Sequence, residues 1–180
     1  MNAMNTHYPD AVRVEPVNLH TLAVIVDNEP GVLARISGLF SGRGYNIESL
    51  TVSETEEARH ISRITIVTTG TNAVIEQIKA QLDRLVPVHR VVDLTLQGNA
   101  IEREICLVKV KGEGEHRSEA LRLAAAFGAK TLDATLNSFV FELTGATEDV
   151  DRFVRLMSVI GLVEICRTGI SAMGRGAEPL

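Results

Sequence analysis

Asp27-Asn28-Glu29-Pro30-Gly31-Val32-Leu33 ends one periodicity and begins another. Upstream, Leu19-His-Thr-Leu-Ala-Val-Ile-Val26 is rich in β-branched and aliphatic residues and reads as a strand. Downstream, apolar residues recur at Val32, Leu33, Ile36, Leu39 and Phe40, the spacing of one helix face. Gly42 and Gly44, with Arg43 between them, end that helix. A helix start leaves backbone N–H groups without internal partners and carries partial positive charge. Pro30 lacks the N–H that a first turn would orphan, and Gly31 lets another group approach the backbone closely. Two readings of the loop stand side by side. Either Asn28 caps the helix and Gly31 eases a tight turn, or the loop is a socket for an anion.

Working outward, Tyr45 to Glu54 alternates as a strand, with Ile47, Ser49, Thr51 and Ser53 on one face and Leu50 and Val52 on the other. Glu54-Thr55-Glu56-Glu57 reads as a solvated acidic turn. His60 to Thr68 alternates again through Ile61, Ile64, Ile66 and Val67. Thr71 to Leu85 has helical spacing at Val74, Ile75, Ile78, Leu82 and Leu85, Pro87 breaks it, and Val88 to Leu96 reads as a strand. The order is strand, helix, strand, strand, helix, strand.

The second half repeats that order. Strands are predicted at Glu104 to Val110, Ala129 to Leu136, Ser138 to Leu143 and Leu162 to Ile170, with helices at Arg117 to Phe127 and Glu148 to Ile160. The fold class is therefore α+β: two consecutive ferredoxin-like βαββαβ units, each an antiparallel sheet with helices on one face. The turn-like Gly98-Asn99-Ala100 divides residues 19–97 from residues 98–173, with flexible tails at 1–18 and 174–180. So small a unit leaves one sheet face and its edge strands bare, which edge-to-edge dimerisation would remedy; the alternative is that the two halves cover each other.

At 180 residues with 45% hydrophobic and 23% charged residues, the chain has the material for a proper core. A net charge of −5, few aromatics and no Trp argue against a nucleic-acid partner. No apolar run approaches the ~20 residues that span a bilayer, and Met1 to Val17 lacks the regions of a signal peptide. Cys106 and Cys166 sit in apolar strand-like runs, as buried, reduced thiols of a cytoplasmic protein would. None of the five histidines (His7, His20, His60, His89 and His116) has metal-ligand spacing, and His20 and His89 read as structural. Neither a Gly-x-Ser-x-Gly elbow nor a Walker loop occurs, and Gly38 to Gly44 ends a helix, the wrong place for a dinucleotide fingerprint. A binding or regulatory module fits better than an enzyme.

Asp27-x-x-Pro30-Gly31-x-Leu33 on a βαββαβ unit resembles the ACT domain, a small-molecule sensor that often binds amino acids. Gly31-Val-Leu-Ala-Arg-Ile-Ser-Gly-Leu-Phe40 and Arg43-Gly-Tyr-Asn-Ile-Glu-Ser-Leu50 are similar to the regulatory (small) subunit family of acetolactate synthase, also called acetohydroxyacid synthase. Glu102-Arg-Glu-Ile-Cys-Leu-Val-Lys-Val110 and Arg167-Thr-Gly-Ile170 resemble that family's second domain. The resemblance spans roughly Leu19 to Gly176.

The resemblance implies a chain without catalysis or cofactor of its own. Its partner would be a catalytic subunit using thiamine diphosphate, Mg²⁺ and FAD, which it would activate. It would also confer feedback inhibition by valine or another branched-chain amino acid. The effector would lie between the ACT domains of a homodimer, held by Asn28, Gly31, Val32, Leu33, Asn46 and Ile47. In physical terms, amides near Gly31 would take the carboxylate, Asn28 and Asn46 the ammonium, and Leu33, Ile47 and Leu50 offer apolar walls. Two rivals make distinct demands. A free-standing enzyme of this fold predicts turnover by the purified chain, and a transcriptional or nickel-sensing ACT regulator needs a DNA-binding module or a histidine cluster.

Overall fold

A computed structural model describes residues 15–180 except 57, 59, 97 and 99. The segment 1–14, most of the predicted N-terminal tail, lies outside the described residues.

The first unit runs β1 (Asn18–Asp27), α1 (Val32–Arg43), β2 (Ser49–Glu56), β3 (Ile61–Gly70), α2 (Asn72–Leu82) and β4 (Val88–Asp93). The second runs β5 (Ile101–Lys111), α3 (Gly114–Phe127), β6 (Lys130–Ala134), β7 (Ser138–Gly145), α4 (Thr147–Ile160), β8 (Leu162–Arg167) and β9 (Ser171–Met173). The sheets are antiparallel with equivalent strand orders, β2-β3-β1-β4 and β6-β7-β5-β8, and β9 adds to β5. Both units are the βαββαβ arrangement expected from the sequence.

Alternation within strands and the 3.6-residue helix period direct the apolar side chains to one layer. Leu22, Val24 and Val26 of β1 and Ile64 and Ile66 of β3 meet Val32, Ile36 and Phe40 of α1 and Ile75, Ile78 and Leu82 of α2. The second unit packs Cys106, Val108, Val110, Phe139 and Phe141 against Val150, Phe153, Met157 and Ile160 of α4. There α3 turns small residues, Ala120 and Ala124, to the sheet.

Several boundaries differ from the periodicity. β2 begins at Ser49, not Tyr45, and continues through Glu54 to Glu56, so the acidic stretch is largely strand rather than turn. α2 ends at Leu82, short of Leu85. β4 stops at Asp93, where the Asp93 carboxylate accepts the Thr95 N–H at 2.9 Å and turns the chain. α3 starts at Gly114, ahead of Arg117.

The largest difference is the last strand. β8 ends at Arg167; Gly169, at φ +83°, swings the chain out of line, and Ser171–Met173 pairs with Ile101–Arg103 instead. This strap lies over the open face of the first sheet. Ile170 and Ala172 bury with Ala23, Val67 and Leu94, and Leu180 packs against the same cluster. That face is thus partly covered within one chain, while β2 and β4 still terminate the first sheet and β6 and β8 the second.

Candidate functional site

The Asn28–Leu33 loop forms an open helix start. Gly31 occupies the N-cap of α1 at φ +91° and ψ −6°, and no side chain caps the helix. Asn28 is exposed and spends its backbone N–H on the His60 carbonyl, so the capping reading of its side chain fails. Pro30 stands before the cap rather than within the first turn. The Val32 N–H reaches the Glu29 carbonyl only at 3.4 Å, and the Gly31 and Leu33 amides have no backbone partner among the described turn and cap bonds. A helix N-terminus with unspent amides and no acidic residue in its first turn favours an anion.

The side chains divide unevenly. Val32 is 4% exposed and belongs to the core, so only its amide faces the loop. Leu33 is 42% exposed and gives the loop an apolar wall. Asn46 is exposed; its Nδ2 donates to Glu48 Oε1 at 2.7 Å, and its backbone carbonyl accepts the Thr68 hydroxyl at 2.6 Å. The Asn46 amide oxygen therefore remains available to an ammonium. Ile47 is half-buried against the first core.

Asn28, Gly31, Val32 and Leu33 stand together, but Asn46 and Ile47 do not join them within one chain. α1 separates the two groups, and its twelve residues put its ends ~18 Å apart. An α-amino acid spans far less, so one chain holds two half-sites rather than one whole site.

Elsewhere the polar groups read as structure. His20 Nδ1 lies 2.8 Å from Asp93 Oδ2 with both side chains 2% exposed, a buried brace between β1 and β4. Glu104, 2% exposed, is held by a two-pronged contact from Arg167, which also donates to Asp151 Oδ1 at 2.6 Å. These hydrogen bonds, opposed by partial burial, raise the Arg167 pKa further. Cys106 is buried as expected, whereas Cys166 is exposed, because it lies on edge strand β8 facing away from the helices. No group of three or more His, Cys, Asp and Glu among the described residues is placed to hold a metal. No described helix is long and apolar enough to cross a membrane.

The strap contacts escaped the sequence reading. Ser49 Oγ accepts the Ile170 N–H at 3.0 Å, Thr51 Oγ1 donates to the Ile170 carbonyl at 3.1 Å, and Arg63 Nη2 donates to the Ala172 carbonyl at 2.6 Å. The alternation of Ser49, Thr51 and Ser53 on one strand face was the visible signal. Ser49 and Thr51 of that run are the hydroxyls that hold the strap.

Two ferredoxin-like units in tandem, the first with an uncapped loop-to-helix junction after β1, define a tandem ACT-type protein. A family model described as "AHAS small subunit-like ACT domain" matches residues 22–90, and one described as "Small subunit of acetolactate synthase" matches residues 103–176. The chain is 45% identical over 157 residues to the probable acetolactate synthase small subunit of Archaeoglobus fulgidus, covering 87% of this chain and 97% of that one. It is 43% identical over 156 residues to the acetolactate synthase isozyme 3 small subunit of Escherichia coli, covering 86% and 94%. The crystal structure of the Thermotoga maritima acetolactate synthase small subunit superposes with a TM-score of 0.81 at 37% identity, over 89% of this chain and 99% of that one. The chain belongs to the acetolactate synthase small-subunit family.

Proposed function

We propose that this chain is the regulatory subunit of an acetolactate synthase in branched-chain amino-acid biosynthesis. It activates a catalytic subunit that carries thiamine diphosphate, Mg²⁺ and FAD, has no turnover of its own, and confers feedback inhibition by valine or another branched-chain amino acid. The observation that carries this reading is the pair of half-sites at opposite ends of α1. A two-fold axis presents the same surface of both chains to each other, so the Gly31 loop of one protomer meets Asn46 and Ile47 of its partner, twice per dimer. Each completed site offers what an α-amino acid needs: free amides for the carboxylate, amide oxygens for the ammonium, and Leu33 and Ile47 around an aliphatic side chain. An effector shared by two protomers biases their arrangement by its differential affinity, and the catalytic partner reads that arrangement.

The test is reconstitution with the catalytic subunit. Adding this chain should raise acetolactate formation, and valine, leucine or isoleucine should lower it again. Gly31→Asp places a carboxylate where the effector's own would sit and should weaken inhibition at least about tenfold while activation persists. Inhibition unchanged in Gly31→Asp would remove the effector from this loop.

A further inference from the structure

We propose that the cavity beneath the strap is a binding site for a small oxyanion, phosphate-like or carboxylate, built around Arg63 and independent of the effector reading at Gly31. The cavity has a volume of about 500 Å³ and lies between the open face of β2 and β3 and the residues of β9. Its described lining contains one formal charge, the Arg63 guanidinium, and no carboxylate. The neighbouring cavity at the junction of the two units contrasts: there Arg167 pairs with Glu104 and Asp151, and Glu48 also lines the space. The same chain thus pairs Arg167 with acids and leaves the half-buried Arg63 without them.

Register explains how the site is assembled. On β2 and β3, Ser53 pairs with Arg63 and Thr51 with Thr65, which sets hydroxyl groups and the guanidinium side by side on the open face. Ser171 approaches from the strap, and Thr55 extends the row. Arg63 is half-buried, and burial lowers its pKa, the sign of a cation short of solvent. One of its five N–H donors meets the Ala172 carbonyl at 2.6 Å, and it enters no ion pair among the described residues. A guanidinium held at one corner presents its remaining fork to the cavity, the geometry that takes two oxygens of a carboxylate or phosphate. Serine and threonine hydroxyls complete the donor set, and Ser53, Thr65 and Ser171 make no other described side-chain hydrogen bond. Arg90 pairs with Ile25, which in turn pairs with Arg63, so a second cation stands on the same sheet face and adds to the attraction.

The 180-residue chain, titrated with potassium phosphate or potassium acetate at constant ionic strength against potassium chloride, tests the site by calorimetry. Saturable binding of at least one of the two over chloride is expected, and the arm that binds names the class. Arg63→Gln should weaken that binding at least about tenfold, and Ser53→Ala, which disturbs no described contact, should weaken it severalfold. If Arg63→Gln does not fold, Ser53→Ala and Thr65→Val carry the test. Absence of binding by both anions, or affinity unchanged in the folded variants, overturns the proposal.

Discussion

Gly31 has no Cβ at φ +91°, and nothing lies within 4 Å of where one would sit, so the position accepts a side chain sterically and charges only backbone strain. That is why Gly31→Asp is a clean probe: aspartate tolerates the left-handed region better than most residues, and circular dichroism should show an intact fold. Two ion pairs make an opposite comparison. Removing the Arg167 side chain leaves the Glu104 carboxylate, 2% exposed, without its partner and should cost about 3–5 kcal/mol in urea unfolding. Removing Lys109, whose partner Glu164 is exposed, should leave the unfolding midpoint close to that of the parent chain, because solvent screens the pair. The two thiols should also separate. Cys166 should react with a thiol reagent at pH 8 in the native chain, and Cys106 only after denaturation. Burial pushes the Cys106 thiol up to about 11, so folding holds that proton. Its contribution is intact below the ordinary thiol range and is lost as the pH rises from there toward 11. Both cysteines sit in apolar runs, and the sequence could not tell them apart, because which face of an edge strand is covered depends on a register set far away.

Among the elements, the strap shows where local pattern stops being informative. Strand and helix order was legible because the core faces repeat with periods 2 and 3.6, at Leu22, Val24 and Val26 or at Val32, Ile36 and Phe40. The end of β8 was not. It depends on Gly169 approaching Ser49, more than a hundred residues earlier: a Cβ at Gly169 would lie 2.5 Å from Ser49 Oγ. Gly44, also at positive φ, has nothing within 4 Å of its Cβ position. Gly44→Ala should therefore cost only the ~1–2 kcal/mol of left-handed strain, and Gly169→Ala clearly more, since overlap adds to strain. Equal losses in thermal unfolding would remove the close approach as the reason for this glycine. The candidate site was legible in part for a related reason. Gly31 and its loop announce themselves by residue type, whereas the ~18 Å that α1 puts between Gly31 and Asn46 is a property of the folded helix.

For the whole molecule, the two half-sites and the bare edges β2 and β4 support the proposal that the sensing unit is a pair of chains. Sedimentation should give a species of twice 19.5 kDa whose population rises with concentration, and the effector should tighten it by linkage. The strap ties β2, the strand that follows Asn46 and Ile47, to the second unit through Ser49 and Thr51, so an effector at Asn46 has a direct mechanical neighbour to displace. The central claim is that a branched-chain amino acid binds at Gly31. Calorimetric titration of valine, leucine and isoleucine into the purified chain and into Gly31→Asp tests it most directly. Saturable binding of at least one of the three at one per chain, lost in the variant, is the predicted result. No binding by any of them, or binding that Gly31→Asp leaves untouched, would contradict it.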